Sequence, residues 1–125
     1  MTTIAENIRK IRQALPEGVK LLAAVKSRTP AEIKEAVTAG VNIIGENYVQ
    51  EALAHKRESQ QNVAWHCIGH VQKNKVNKAA ETFDMIQTID SEAIVSALDR
   101  ACARLGKVMP VLIEVNSARE AQKHG

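Results

Sequence analysis

Lys26 is the residue of this chain best placed to do chemistry. It follows the apolar run Leu21-Leu22-Ala23-Ala24-Val25 and precedes the helix-opening signature Thr29-Pro30-Ala31-Glu32. A lysine there sits at the carboxyl end of a strand, where α/β folds collect their functional groups. Its primary amine can attack a carbonyl carbon, but only without its proton, and burial at such a position favours the neutral form by penalising the ammonium. Arginine would not serve, because its guanidinium stays protonated. Taken by itself, a lysine at a strand end is most often a solvated surface residue.

A second group, Trp65-His66-Cys67-Ile68-Gly69-His70, contains two imidazoles and a thiol, all zinc-ligand types. Strand alternation points residues 66 and 67 to opposite faces, and no fourth ligand lies nearby in sequence, so no metal is expected. Cys67 reads as a small buried hydrophobe. Asn47, ahead of Tyr48-Val49-Gln50, suits an amide version of the helix capping box, with a side chain that serves the following helix. Lys73, Lys75 and Lys78 fall on a helix without adjacent aromatics and read as a solvated face.

Composition narrows the classes of function. The 125 residues make one ordinary domain, and 45% hydrophobic content is enough for a packed core. Aromatics are 2%, one each of Trp65, Tyr48 and Phe83, so stacking platforms for single-stranded nucleic acid are missing. The net charge of +3 is spread along the chain, which points to acidic small ligands at most. Two distant cysteines, Cys67 and Cys102, form neither a CxxC motif nor a disulfide framework, as expected of a reducing compartment. No apolar stretch approaches the ~20 residues that span a bilayer, and the N-terminus enters a helix pattern directly. These features predict a soluble cytoplasmic protein.

The elements that must position these residues follow one rhythm. Thr3-x-x-Glu6 is a capping box ahead of Ile4, Ile8, Ile11 and Leu15, predicting a first helix to about Ala14. A strand over Lys20 to Val25 and a helix capped by Thr29, with Ile33, Ala36 and Val37 inward and Gly40 as its stop, make the first unit. Strand Val41 to Ile44 and a helix from the Asn47 cap to about Glu58 make the second. Strand Val63 to Ile68 leads to a basic helix with Val76, Ala79 and Ala80, and strand Met85 to Ile89 leads to a helix capped by Asp90 or Ser91, closed by Gly106. Strand Met109 to Val115 precedes a last helix opened by Ser117-x-x-Glu120. Five strand-helix units at roughly 20 to 26 residues each fit right-handed crossovers around a parallel sheet. Two architectures share this rhythm, a five-stranded doubly wound sheet of the flavodoxin type and a (β/α)8 barrel of the TIM type, which typically needs about 250 residues. The pattern alone leaves both open.

Residue identity goes further. The segments Ala24-Val25-Lys26, Gly45-Glu46-Asn47-Tyr48-Val49-Gln50-Glu51, Trp65-His66-Cys67-Ile68-Gly69-His70-Val71-Gln72-Lys73-Asn74-Lys75 and Val115-Asn116-Ser117-x-x-Glu120-x-x-Lys123-x-Gly125 occur in this order. Together they resemble the pyridoxal-phosphate homeostasis proteins, relatives of the N-terminal barrel domain of alanine racemase. The resemblance implies a fold-type-III, TIM-type barrel, of which residues 1–125 form a single N-terminal part: about five strand-helix units after an extra helix. It implies that Lys26 forms an internal aldimine with pyridoxal 5′-phosphate (PLP) and that Asn47 lines the same pocket. His66, Ile68 and Asn116 match further cofactor-binding positions at neighbouring strand ends. Family members are about twice as long and hold the cofactor phosphate late in the barrel. Unpaired edges of a five-stranded piece would favour self-association.

The function implied is a non-catalytic PLP carrier that acts in vitamin B6 homeostasis, with no nucleic-acid or membrane partner and no catalytic residue. The alternatives are a racemase-like PLP enzyme and a flavodoxin-like nucleotide or signalling module without PLP. Racemisation needs a second acid-base group opposite the lysine, supplied in racemases by a tyrosine from a C-terminal domain of the other subunit. Tyr48 is the sole tyrosine here and lies in a helix-opening segment, so the carrier is preferred.

Overall fold

A computed structural model describes residues 2–59 and 62–125. Five parallel strands form its sheet: β1 (Ala23–Ala24), β2 (Ile43–Glu46), β3 (Ala64–Cys67), β4 (Met85–Ile89) and β5 (Val111–Ile113). Helix α1 (Ile4–Ala14) precedes them. Helices α2 (Pro30–Thr38), α3 (Val49–Glu58), α4 (Val76–Thr82) and α5 (Glu92–Leu105) fill the four crossovers, with a 3-10 turn at Lys73–Lys75 leading into α4.

Strand order decides between the two architectures. The order is sequential, β1 to β5, whereas a doubly wound sheet reverses direction at a switch point. Crossovers of one hand between sequential neighbours put every helix on the same face, which is a partial barrel. Burial agrees. Ile44, Glu46, Trp65, Cys67, Ile86 and Thr88 lie buried beneath the helices, while Ile43, Ala64, His66, Met85 and Gln87 on the concave face are half-buried and Ala24 is exposed. No helix among the described residues is long and apolar enough to cross a membrane.

Local signals explain the helices. Both capping boxes form: Thr3 and Thr29 accept from the backbone N–H groups of Glu6 and Glu32, whose carboxylates accept in return. Ser91, rather than Asp90, caps α5. At its other end Gly106 adopts φ +63°, which lets Lys107 N–H reach the Cys102 carbonyl and Gly106 N–H the Ala103 carbonyl. Inward stripes are Ile33 and Ala36 on α2, Val49 and Ala52 on α3, Val76, Ala79 and Ala80 on α4, and Ile94, Leu98 and Ala101 on α5. Phe83, fully buried, fills the core beside these small side chains; burying such a ring is worth about 1.5–3 kcal/mol.

Three expectations are corrected. β1 is only two residues long, because it pairs on one side alone, with β2. β2 starts at Ile43 and runs through Glu46: Val41 N–H is committed to the Ala36 carbonyl at the end of α2. The last predicted helix does not form. Asn116 accepts from Glu120 N–H through Oδ1 and donates through Nδ2 to the Glu120 carbonyl, fixing a loop in which Arg119 takes φ +55°. A left-handed residue there is incompatible with a continuing α-helix.

Candidate functional site at the carboxyl ends of the strands

The ladder aligns Ala24 with Gly45 and Gly45 with His66. The paired register ends at Ala24 on β1 and at Glu46 and Cys67 on β2 and β3, and Lys26, Asn47 and Ile68 follow just beyond these carboxyl ends, outside the strands. Lys26 follows Val25, whose N–H donates to the Gly45 carbonyl, and occupies a turn closed by Arg28 N–H on the Val25 carbonyl (3.1 Å) with Ser27 at φ +63°. Its side chain is exposed rather than buried as expected, because the concave face here carries no covering layer.

Asn47 does not cap α3. The N-cap is Tyr48, without a side-chain bond, because β2 carries the chain on through Glu46 before the helix begins. Asn47 packs instead beneath Gly69, and its Oδ1 is buried with no hydrogen-bond partner. A Cβ on Gly69 would lie 2.8 Å from Asn47 Cα, so only glycine lets the two loops meet. Ile68 N–H donates to the Glu46 carbonyl (2.9 Å), and its side chain covers Gly45.

His66 lies deeper, within β3, its Nδ1 3.0 Å from Gln87 Nε2. Burial holds its imidazole below the ordinary value, an effect Lys20 reinforces and Asp84 opposes. Cys67, on the opposite face, is buried under the helices, donates to the Gly69 carbonyl, and has its thiol pushed up by burial. His66, Cys67 and His70 are therefore not brought together. Asn116 organises its own loop through the two bonds to Glu120.

Sequence reasoning missed two groups. Glu46 is fully buried, with Oε1 2.5 Å from His55 Nδ1 and Oε2 unpartnered; burial raises its carboxyl, and His55 offsets part of that effect. The second comprises His70, Asp90 and His124, which converge from three strand ends although they are far apart in sequence. A cleft of about 410 Å³ opens beside them, walled by Asn47, Tyr48, Gly69, His70 and His124 among others; Lys26, His66, Ile68 and Asn116 are not part of its wall. Asp90 precedes a helix and reads as a cap, which hides its other contacts.

Comparison with known proteins agrees with this geometry. The family model for "Alanine racemase, N-terminal domain" matches residues 1–123. The pyridoxal phosphate homeostasis protein of Escherichia coli K12 is 36% identical over 140 aligned positions, which cover 100% of this chain and 59% of the relative. That of Buchnera aphidicola subsp. Schizaphis graminum is 39% identical over 109 residues, covering 86% of this chain and 48% of the relative. The chain thus spans about half the length of such relatives. Among solved structures, PipY of Synechococcus elongatus PCC7942 with PLP bound superposes with a TM-score of 0.91 at 39% identity, over 95% of this chain and 57% of that one. Alanine racemase of Clostridium difficile 630 shares the fold at 13% identity, TM-score 0.74, over 87% of this chain and 30% of that one. With sequential strands, one-sided helices and a match along nearly its whole length, the chain belongs to the alanine racemase N-terminal domain family and is similar to the pyridoxal phosphate homeostasis proteins within it.

Proposed function

We propose that this chain is the N-terminal part of a PLP-binding (β/α)8 barrel and that it holds PLP through a reversible covalent link to Lys26, serving intracellular vitamin B6 homeostasis rather than catalysis. The observation that carries the reading is that Lys26, Asn47 and Ile68 follow three neighbouring strand ends, in a chain 39% identical to a protein solved with PLP bound. The residues fit such a ligand. Asn47 Oδ1 is a buried acceptor without a hydrogen-bond partner among the described residues, which leaves it for a donor on a bound molecule. PLP, when bound, supplies an electrophilic aldehyde conjugated to an electron-withdrawing ring. Lys26 provides the amine, Asn47 an orienting acceptor, and His66, whose charged form burial disfavours, a polar wall deeper on the strand beside Gln87. Asn116 takes part through the loop it holds closed.

The non-catalytic element rests on the acid-base inventory. Racemisation requires a second group facing the α-carbon from the other side. The sole tyrosine, Tyr48, is the N-cap of α3 and is 58% exposed. Two free, buried thiols support a cytoplasmic site of action as part of this reading, and the scarcity of aromatics argues against a nucleic-acid partner.

The test is to mix the protein with PLP, follow the shift of the cofactor absorbance, reduce with borohydride and map the labelled peptide. Label on Lys26, absent from Lys26→Ala, is the expected result. Equal labelling of the variant removes Lys26 from the proposal. Turnover of L-alanine to the D-isomer above background would overturn the non-catalytic element.

A further inference from the structure

We propose that His70, Asp90 and His124 form a binding site for one divalent transition-metal ion of the zinc class at the mouth of the partial barrel. The three side chains come from the loop after β3, the end of β4 and the loop after β5, and one ligand atom from each lies within 4.8 Å of the others. Asp90 Oδ2 is 3.2 Å from His70 Nδ1 and 4.0 Å from His124 Nδ1. The imidazoles stack at 3.8 Å with an interplanar angle of 12°, so the rings must turn out of this stack for their in-plane nitrogen lone pairs to meet at one ion, a movement open to the exposed His70 and His124 side chains.

Two features favour a metal over a simple polar cluster. The Asp90 side chain is 11% exposed, and among the described residues its only ion-pairing partners are these two histidines; no lysine or arginine neutralises it. A carboxylate so withdrawn from water calls for a cation. Two imidazole nitrogens and one carboxylate oxygen are also the donor set that zinc selects, whereas magnesium and calcium favour all-oxygen sites. Tetrahedral bonds of about 2.0–2.1 Å separate ligand atoms by about 3.4 Å, so closing the cluster around an ion takes contractions of up to about 1.4 Å. His70 and His124 also line the cleft of about 410 Å³, and three protein ligands leave a fourth position for water or a small ligand.

The surroundings hold the ligands ready. Gly69, wedged against Asn47, has its carbonyl fixed by Thr88 Oγ1 (2.6 Å), which sets the start of His70. Asp90 is clamped between β4 and the Ser91 cap of α5. The Asn116–Glu120 bonds close the loop that returns His124 to the mouth. Such supporting contacts are typical of metal sites.

The test is calorimetric titration of the metal-stripped chain with zinc chloride, paired with visible absorption of the cobalt(II)-loaded form. One zinc per chain is expected, with cobalt bands of a four- or five-coordinate site. His124→Ala and His70→Ala should each weaken binding by about tenfold or more. His124 is exposed, so its variant keeps the fold, and Lys123→Ala, which alters only an exposed pair with Glu120, should bind as the parent does. No zinc uptake by the parent, or uptake of unchanged affinity in both histidine variants, overturns the proposal. These readouts do not involve PLP.

Discussion

Gly69→Ala isolates the contact that joins two strand ends at the mouth. An added Cβ would lie 2.8 Å from Asn47 Cα and 2.9 Å from its carbonyl carbon, and both are backbone atoms that no rotamer change can move aside. Carbon atoms sit comfortably at about 3.5 Å, so the loops after β2 and β3 must part by about 0.7 Å. Forced separation of packed backbone costs about 1–3 kcal/mol. With a urea m-value of roughly 2 kcal/mol/M, the unfolding midpoint should fall by about 0.5–1.5 M. Gly106→Ala is the contrast: nothing lies within 4 Å of its Cβ, yet its φ of +63° imposes a conformational cost of about 1–2 kcal/mol. Both variants should therefore lose stability, and amide NMR spectra should separate them. Gly69→Ala shifts the signals of Tyr48 and His70, whereas Gly106→Ala leaves them in place. A Gly69→Ala protein that unfolds at the parent's midpoint with unmoved mouth signals would refute the close-approach argument.

Two further outcomes follow from particular residues. Burial raises the Glu46 carboxyl in the native state, so its contribution favours folding most fully below the ordinary glutamate range and is lost as pH climbs through the raised native value. Glu46→Gln, neutral at every pH, should therefore gain on the parent as pH rises from about 4 to 7, measured as the difference in urea midpoint at each pH; parallel curves would contradict the assignment. Among the described residues β5 pairs only with β4 and leaves Ile113 76% and Val115 74% exposed, and we propose that this edge promotes self-association. Ile113→Lys should reduce the average mass in concentration-dependent light scattering while changing stability by no more than about 0.5 kcal/mol; a parent that stays monomeric at every concentration tested would argue against an adhesive edge.

What was legible in the sequence divides along the reach of each signal. Helix ends set by neighbouring atoms are readable within a few residues: Thr3 with Glu6, Thr29 with Glu32, Ser91 before α5 and Gly106 after it all act as their types require. β4, with its apolar run bounded by Asp84 and Asp90, is read to the residue. β2 is displaced because Glu46 looks like a strand's end. Its carboxylate is tolerated inside only because His55, nine residues on, meets it there. Asn47 has the side chain of a cap, but Gly69 sits over it and leaves Tyr48 to begin the helix. The strand order that excludes a doubly wound sheet is a property of all five strands, and no window of sequence contains it.

The same distinction governs the mouth. Lys26 stood out by its place after an apolar run, whereas Asn47, His66 and Ile68 entered only through the resemblance to a family. The grouping of His70, Asp90 and His124 was not legible, since it depends on the two crossovers that join β3, β4 and β5 and on a loop that Asn116 bends back. The expected final helix would have carried His124 along its axis, away from the loop that Asn116 and Glu120 close. It is the failure of that helix, through Arg119 in a left-handed conformation and two side-chain bonds from Asn116, that returns an imidazole to Asp90. Asn116, assigned to cofactor binding by resemblance alone, is seen in the structure to close the loop that carries His124.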